Sequence, residues 1–301
     1  KRGFTPNWAA QSLRNQKTNT IGYIIPNITN GFFSEIGIAI DAFFRENSYS
    51  TLICFTSESR KNEIESIRSL LAKNIDGIIL APIGNRGEFI DEIPNLADTP
   101  LVLIDNRLSG PPRNYVLQDN EGNSRRLTAH IIGHGHSHIG FVTGPLEESS
   151  SRERFLGFCN ALEDARILLD ERLVRTVDWE IHSGYEATKD LFEHKGNARP
   201  TAIIYGNTQL LLGGYKAIRE KDLLIPQDVA VASFEHPDII DALTPCPTTL
   251  EKVEKRIGLA AAEMLLSLIE TKAKMPLQEI LIPSQLIIGE SCGCSMRSQN
   301  P

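Results

Sequence analysis

Short runs of β-branched and apolar residues alternate along the chain with longer amphipathic stretches. Ile21–Ile25 predicts a strand, and Phe33, Ile36, Ile40 and Phe43 then fall at helical spacing within a segment running from Phe33 to Glu46. Thr51–Phe55 predicts a second strand, followed by a helix with Ile64, Ile67, Leu70 and Leu71 on one side. Asp76–Ala81 and Leu101–Ile104 continue the alternation. Near-continuous apolar strands separated by helices imply a parallel sheet covered on both faces.

The pattern then starts again. Helices are expected over Asn123–Ile132, Arg154–Leu162, Ser183–Phe192 and Thr208–Arg219, and strands over His138–Thr143, Leu173–Val177, Thr201–Tyr205 and Val229–Phe234. A final stretch, a helix near Val253–Ile269 with strands near Glu279–Ile282 and Gln285–Ile288, is too short for a domain of its own and is expected to return and complete both halves. The prediction is an α/β chain of two similar doubly wound, parallel-sheet subdomains. They comprise 19–117 plus 252–281 and 118–251 plus 282–293, preceded by a linker over 1–18 and followed by a tail over 294–301. Ligands in such folds bind outside the carboxyl ends of the strands, so a cleft between the two subdomains is expected.

Composition adds the class. The chain has 301 residues, 41% hydrophobic and 23% charged, as in ordinary globular proteins. No apolar run reaches the roughly 20 residues that cross a bilayer, and Lys1 to Arg14 has no apolar core of a signal peptide. Five scattered cysteines do not read as a disulfide framework, so a reducing cytoplasm is expected. Residues 1–18 hold Lys1, Arg2, Arg14 and Lys17 without an acid, +4 within a chain of −7, which leaves −11 for the rest. Nucleic-acid binding depends on neutralising phosphates, so only the start of the chain suits it.

Several motifs then coincide in order. Gly3-Phe4-Thr5-Pro6-Asn7 precedes Ala10-Gln11-Ser12-Leu13-Arg14, and Thr20-Ile21-Gly22, Asn30-Gly31-Phe32-Phe33 and Asp76-Gly77-Ile78-Ile79-Leu80 follow. Next come Gly135-His136-Ser137-His138-Ile139, Arg154 ahead of Gly157-Phe158, Pro200-Thr201-Ala202-Ile203 and Ile225-Pro226-Gln227-Asp228-Val229. Thr248-Thr249-Leu250, Ile257-Gly258 and Ser291-Cys292-Gly293 close the series. In this order they resemble the LacI/GalR (lac-repressor) family of transcriptional regulators over essentially the whole chain. The resemblance implies a periplasmic-binding-protein-like (type I) effector core, a small-molecule effector such as a sugar or sugar phosphate, operator DNA and a homodimer, with no cofactor, no membrane and no catalysis.

The start resembles the family's hinge helix. Pro6 suits a first helical turn with Thr5 as its cap, and Trp8 to Arg14 spans about two turns, too short to be stable alone. The resemblance assigns Asn7, Ala10, Gln11, Leu13 and Arg14 to the minor groove, with Leu13 as the wedge that kinks the duplex. Gln11 stands where the family often has arginine. The helix-turn-helix would precede Lys1, so this chain alone is expected to bind DNA poorly.

For the effector, the resemblance implies Asn30, Phe32, Phe33 and Asp105 in the first subdomain, and Arg152, Arg154, Asn207 and Glu235 in the second. A phenyl ring can stack on a sugar face, a carboxylate accepts from hydroxyls, and a guanidinium offers a planar fork of donors. Ordinary roles stand beside these: core packing for one of the two phenylalanines, a loop carboxylate or cap for Asp105, a solvated surface for Arg154, whose place Arg152 could take, and a helix N-cap for Asn207. Thr208 and Glu235 stand where the family usually has aspartate. With two arginines and Ser149–Ser151 nearby, this permits a phosphorylated or acidic effector, and the surrounding runs resemble sucrose and fructose regulators within the family.

His130, His134, His136 and His138 crowd together, but Gly133 and Gly135 break the segment, and Cys292-x-Cys294 has no second cysteine pair to complete a zinc set. No metal is expected. Two other readings stay open: a free-standing periplasmic sugar-binding protein, and an α/β enzyme. Against the second, Pro26-Asn27-Ile28-Thr29-Asn30 is not a glycine-rich phosphate loop, and no nucleophile elbow occurs.

Overall fold

The computed structural model describes residues 17–193, 199–237, 239–271 and 276–294. The hinge residues Asn7, Ala10, Gln11, Leu13 and Arg14 lie outside them. The chain divides into two compact units, residues 1–118 with 253–282 and residues 119–252 with 283–301.

The first unit opens with β1 (Thr20–Ile25), α1 (Gly31–Glu46), β2 (Ser50–Phe55), α2 (Arg60–Leu71) and β3 (Gly77–Leu80). The one-turn α3 (Glu88–Asp91), β4 (Leu101–Ile104) and β5 (Tyr115–Gln118) follow. The second unit contains α4 (Asn120–Gly133), β6 (Ile139–Thr143), α5 (Ser149–Asp164), β7 (Val174–Thr176), α6 (Ile181–Leu191), β8 (Ala202–Tyr205), α7 (Thr208–Glu220), β9 (Ala230–Ser233) and β10 (Thr248–Leu250). The chain then returns to the first unit through α8 (Glu254–Thr271) and β11 (Glu279–Ile282), and ends in the second with β12 (Leu286–Ile287).

Each unit holds one six-stranded sheet, ordered β11-β5-β4-β3-β1-β2 and β12-β10-β9-β8-β6-β7. The first is parallel throughout. In the second only β12, against β10, runs antiparallel. Strand alternation feeds two cores per sheet. Ile21, Tyr23 and Ile25 of β1 pack with Phe44 of α1 and Ile257 and Leu265 of α8, whereas Ile24 packs with Ile67 and Leu70 of α2. In the second unit Phe141 and Ile204 meet Leu127 and Phe158, while Val142, Ile203 and Tyr205 meet Leu191 and Leu211. Helices on both faces of parallel strands are the doubly wound α/β arrangement that the sequence pattern predicts.

Local departures have local causes. In α1 it is Phe44, not Phe43, that is fully buried, because four residues after Ile40 completes the helical stripe. Helix α5 starts at Ser149, one turn before the expected Arg154, and its first three serines are all buried.

Candidate functional site

Since the strands of each sheet, β12 apart, run parallel, the segments that follow them gather at one edge, where ligands of such sheets bind. In the second unit that edge is built around Arg154. The residue is only 4% exposed and lies in the second turn of α5, on its buried face. Its Nε donates to Asn120 Oδ1 at 3.0 Å and its Nη1 to the Gly206 carbonyl just past β8. The guanidinium lies 4.0 Å from the Phe234 ring centre and 5.4 Å from that of Trp179. A desolvated cation over aromatic faces gains from their negative quadrupole.

The neighbours are fixed in turn. Trp179, after β7, donates its indole N–H to Glu148 Oε2 at 2.7 Å. The indole lies so close over Gly144, after β6, that a Cβ there would overlap the ring. Glu235, after β9, accepts from the Thr208 backbone N–H at 3.0 Å. Burial raises the pKa of its carboxyl group, against the opposing charge of Arg154 and the hydrogen bonds from Thr208. Asn207 is buried and caps α7, accepting from Leu210 N at 2.8 Å. Thr143 Oγ1, at the end of β6 beside Gly206, is buried with no hydrogen-bond partner among the described residues. The ensemble offers a cation, a carboxylate, an indole face and an unmatched hydroxyl within one sheet edge.

In the first unit, Asn30 caps α1 through Phe32 N at 3.1 Å. Asp105 follows β4 with φ of 66°, a left-handed conformation uncommon outside glycine, asparagine and aspartate, and accepts from Asn106 Nδ2 at 3.0 Å. At the same edge Glu63 is fully buried, accepting from Ile83 N at 3.0 Å and paired with Arg60. Arg60 also donates to the Ile83 carbonyl and sits 4.1 Å over the Phe89 ring. Desolvation lifts Glu63 to about 7, although the Arg60 charge and the Ile83 hydrogen bond pull the other way.

The sequence profile of the periplasmic-binding-protein-like domain matches residues 128–292. The chain belongs to that family, as an effector-binding core of LacI/GalR type. Among its relatives, the transcriptional repressor PurR of Vibrio atlanticus is 28% identical, aligned over 89% of this chain and 80% of its own length. The ribose operon repressor of Escherichia coli K12 is 26% identical, over 87% and 79% respectively. Among solved structures, a sugar-binding LacI-family transcriptional regulator from Escherichia coli, crystallised with phosphate, superposes with a TM-score of 0.76. It is 25% identical and is matched over 91% of this chain and 98% of its own. These relatives are transcriptional regulators, not enzymes.

Within this LacI-type core, Arg154, Asn207 and Glu235 share one edge of the second sheet, and Asn30 and Asp105 lie at strand ends of the first. Arg152 does not join Arg154: it is exposed and donates to the Leu146 carbonyl at 3.4 Å, because two residues along a helix point to different faces. Phe32 and Phe33 both belong to the first unit's core, edge-to-face at 5.3 Å, where one of the two was expected free for a ligand. The buried α1 stripe takes both rings. Sequence reasoning missed Asn120, Trp179 and Glu148. Their only signal is position directly after a strand or at a helix start. The histidine run also divides: His136 Nδ1 lies 3.0 Å from Thr201 Oγ1 and His138 Nδ1 3.3 Å from Ser137 Oγ, while His130 and His134 stay together with ring centres 4.7 Å apart.

Proposed function

We propose that the chain is the sensing part of a ligand-responsive transcriptional repressor, which takes a sugar, sugar phosphate or similar polar metabolite at the carboxyl ends of its strands and couples that binding to operator DNA. The observation that carries this reading is the buried Arg154 over Phe234 and Trp179 beside Glu235. Buried charges are costly and tend to be retained where they bind or catalyse. Polyols and phosphate esters are recognised by this combination, with a guanidinium for oxygens, a carboxylate for hydroxyls and an indole for the apolar ring face. The printed names of the relatives, a ribose operon repressor and a sugar-binding regulator, fall in the same ligand class. Asn30 and Asp105, at strand ends of the first unit, offer polar groups of the same kind, and Asn7, Ala10, Gln11, Leu13 and Arg14 are assigned to the groove contact.

The active species is a homodimer. In its support, the edge strand β2 exposes Leu52, Ile53 and Phe55, and apolar side chains clustered on a sheet edge mark an interaction surface. Among the described residues no helix is long and apolar enough to cross a membrane.

Coupling is reciprocal by linkage: if effector alters operator affinity, operator alters effector affinity by the same factor. The test is to select operator fragments from genomic DNA with the regulator carrying its DNA-binding segment, then titrate effector with and without the selected fragment. The reading predicts a change of about 5- to 150-fold. Equal affinities in the two titrations would reject it.

A further inference from the structure

The C-terminal turn of the second unit brings together residues from opposite ends of its sequence. His130 and His134 sit one helical turn apart at the end of α4, so both rings project from the same face. Cys292 and Cys294 follow β12, separated by Gly293, whose φ of 81° makes the reversal that points both thiols at the helix end. Cys294 Sγ lies 3.0 Å from His134 Nε2 and 3.4 Å from His130 Nε2. The two sulfurs are 2.6 Å apart. One ligand atom from each of the four residues falls within 4.8 Å of all the others.

We propose that His130, His134, Cys292 and Cys294 form a tetrahedral site for zinc or a similar thiophilic divalent ion. Arms of about 2.0–2.3 Å to nitrogen and sulfur give tetrahedral edges of roughly 3.3–3.8 Å, so the four atoms already occupy nearly the required volume. Loading spreads the two sulfurs by about an ångström, a movement that the terminal turn carrying them can absorb. Two thiolates with two imidazoles are the donor set that selects zinc over magnesium or calcium. Cys292 is 2% exposed and the other three are half-buried, so the site is shielded yet reachable from the surface. All four side chains take part and no position is left open for substrate, so the role is structural. The ion would fasten the end of α4 to the last segment of the second unit, through residues about 160 positions apart in the chain.

The set differs from the histidine run weighed on sequence alone. His136 and His138 have other partners, and the C-x-C pair that lacked cysteine mates finds histidines instead.

The test uses the 301-residue chain, reduced and stripped with a chelator, then incubated with zinc, desalted and assayed for bound metal. Cobalt replaces zinc in a parallel spectrum. The expected result is one zinc per chain, a thiolate-to-cobalt charge-transfer band with intense tetrahedral visible bands, and a higher melting temperature with metal than without. Cys294→Ser and His134→Ala each weaken binding by more than about ten-fold, whereas His136→Ala binds as the parent does. Both ligand variants alter half-buried side chains near a chain end, and circular dichroism checks that each stays folded. Failure of the reduced, folded parent to retain zinc overturns the proposal, as does equal retention by both ligand variants. A Cys292–Cys294 disulfide whose reduction restores no zinc uptake overturns it too, in favour of a redox pair.

Discussion

Replacing Arg154 by methionine keeps most of the side-chain volume and removes the guanidinium. The bonds to Asn120 Oδ1 and the Gly206 carbonyl are lost, and two acceptors next to α5 are left without that donor. Hydrogen bonds from a charged donor contribute about 1.5–3 kcal/mol each. The cation over Phe234 adds roughly 1–2 kcal/mol in a desolvated setting. Against this, methionine buries more apolar surface and spares the desolvation of a cation, which returns roughly 2–3 kcal/mol. The remaining Glu235 carboxyl also loses its nearest opposing charge, and its pKa rises further. The balance is a destabilisation of roughly 1–6 kcal/mol, about 3–4 kcal/mol at mid-range, in the second unit. Trp179 touches the site and reports on it directly; a Trp8→Phe background silences the chain's other tryptophan. Urea unfolding followed by Trp179 fluorescence should show a midpoint lower by about 1 M with unchanged slope. A midpoint equal to or above that of the parent would refute the reasoning, because it would mean that these bonds do not hold the cation against its desolvation.

Glu63 gives a pH signature. Its folded pKa of about 7 exceeds the ordinary 4.5, so the folded state binds the proton more tightly, and stability falls as pH rises from about 4.5 to about 7. The loss is at most about 3.4 kcal/mol at 1.36 kcal/mol per unit, and Glu63→Gln should remove it. Urea midpoints at pH 5 and pH 8 check this, and parallel pH profiles for parent and variant would contradict it. Asp105→Asn keeps a side chain that tolerates the left-handed backbone, so stability should stay within about 0.5 kcal/mol while effector-induced stabilisation drops. A clear fall in melting temperature without ligand would instead make Asp105 a loop cap. Gly213 packs so closely on the Ile181 carbonyl that Gly213→Ala should force α6 and α7 apart and lower the melting temperature by several degrees. No shift would mean that the two helices are not in backbone contact there.

Much of the fold was legible because both sheets are buried on both faces. β1, β3 and β8 are fully buried and read as continuous apolar runs. β5 carries little strand signal: it is four residues long, ends in Gln118 and follows Pro111-Pro112. β10 is faint for a like reason, since its three residues are too few to show a period even though threonine suits a strand. Helix α5 was predicted to begin late because its serines give a weak helix signal, although their short side chains fit a buried first turn. Within the candidate site, Arg154 could be singled out by its spacing to Gly157-Phe158. Asn120, 34 residues before it, and Trp179, 25 residues after it, could not, because only the parallel sheet brings them to one edge. The link between His134 and Cys294 spans 160 residues and depends on the final strand returning to the second unit.

The most direct test of the account is a thermal-shift screen of the parent chain and Arg154→Lys against free sugars, sugar phosphates and purines. Lysine keeps the charge but loses the planar fork that holds Asn120 and Gly206 and that the proposal assigns to ligand oxygens. A ligand that binds only the folded state raises the melting temperature by mass action. The account predicts that one of these classes stabilises the parent and that the shift disappears in Arg154→Lys. A ligand that stabilises both proteins equally, or that the chain chemically converts, would contradict it.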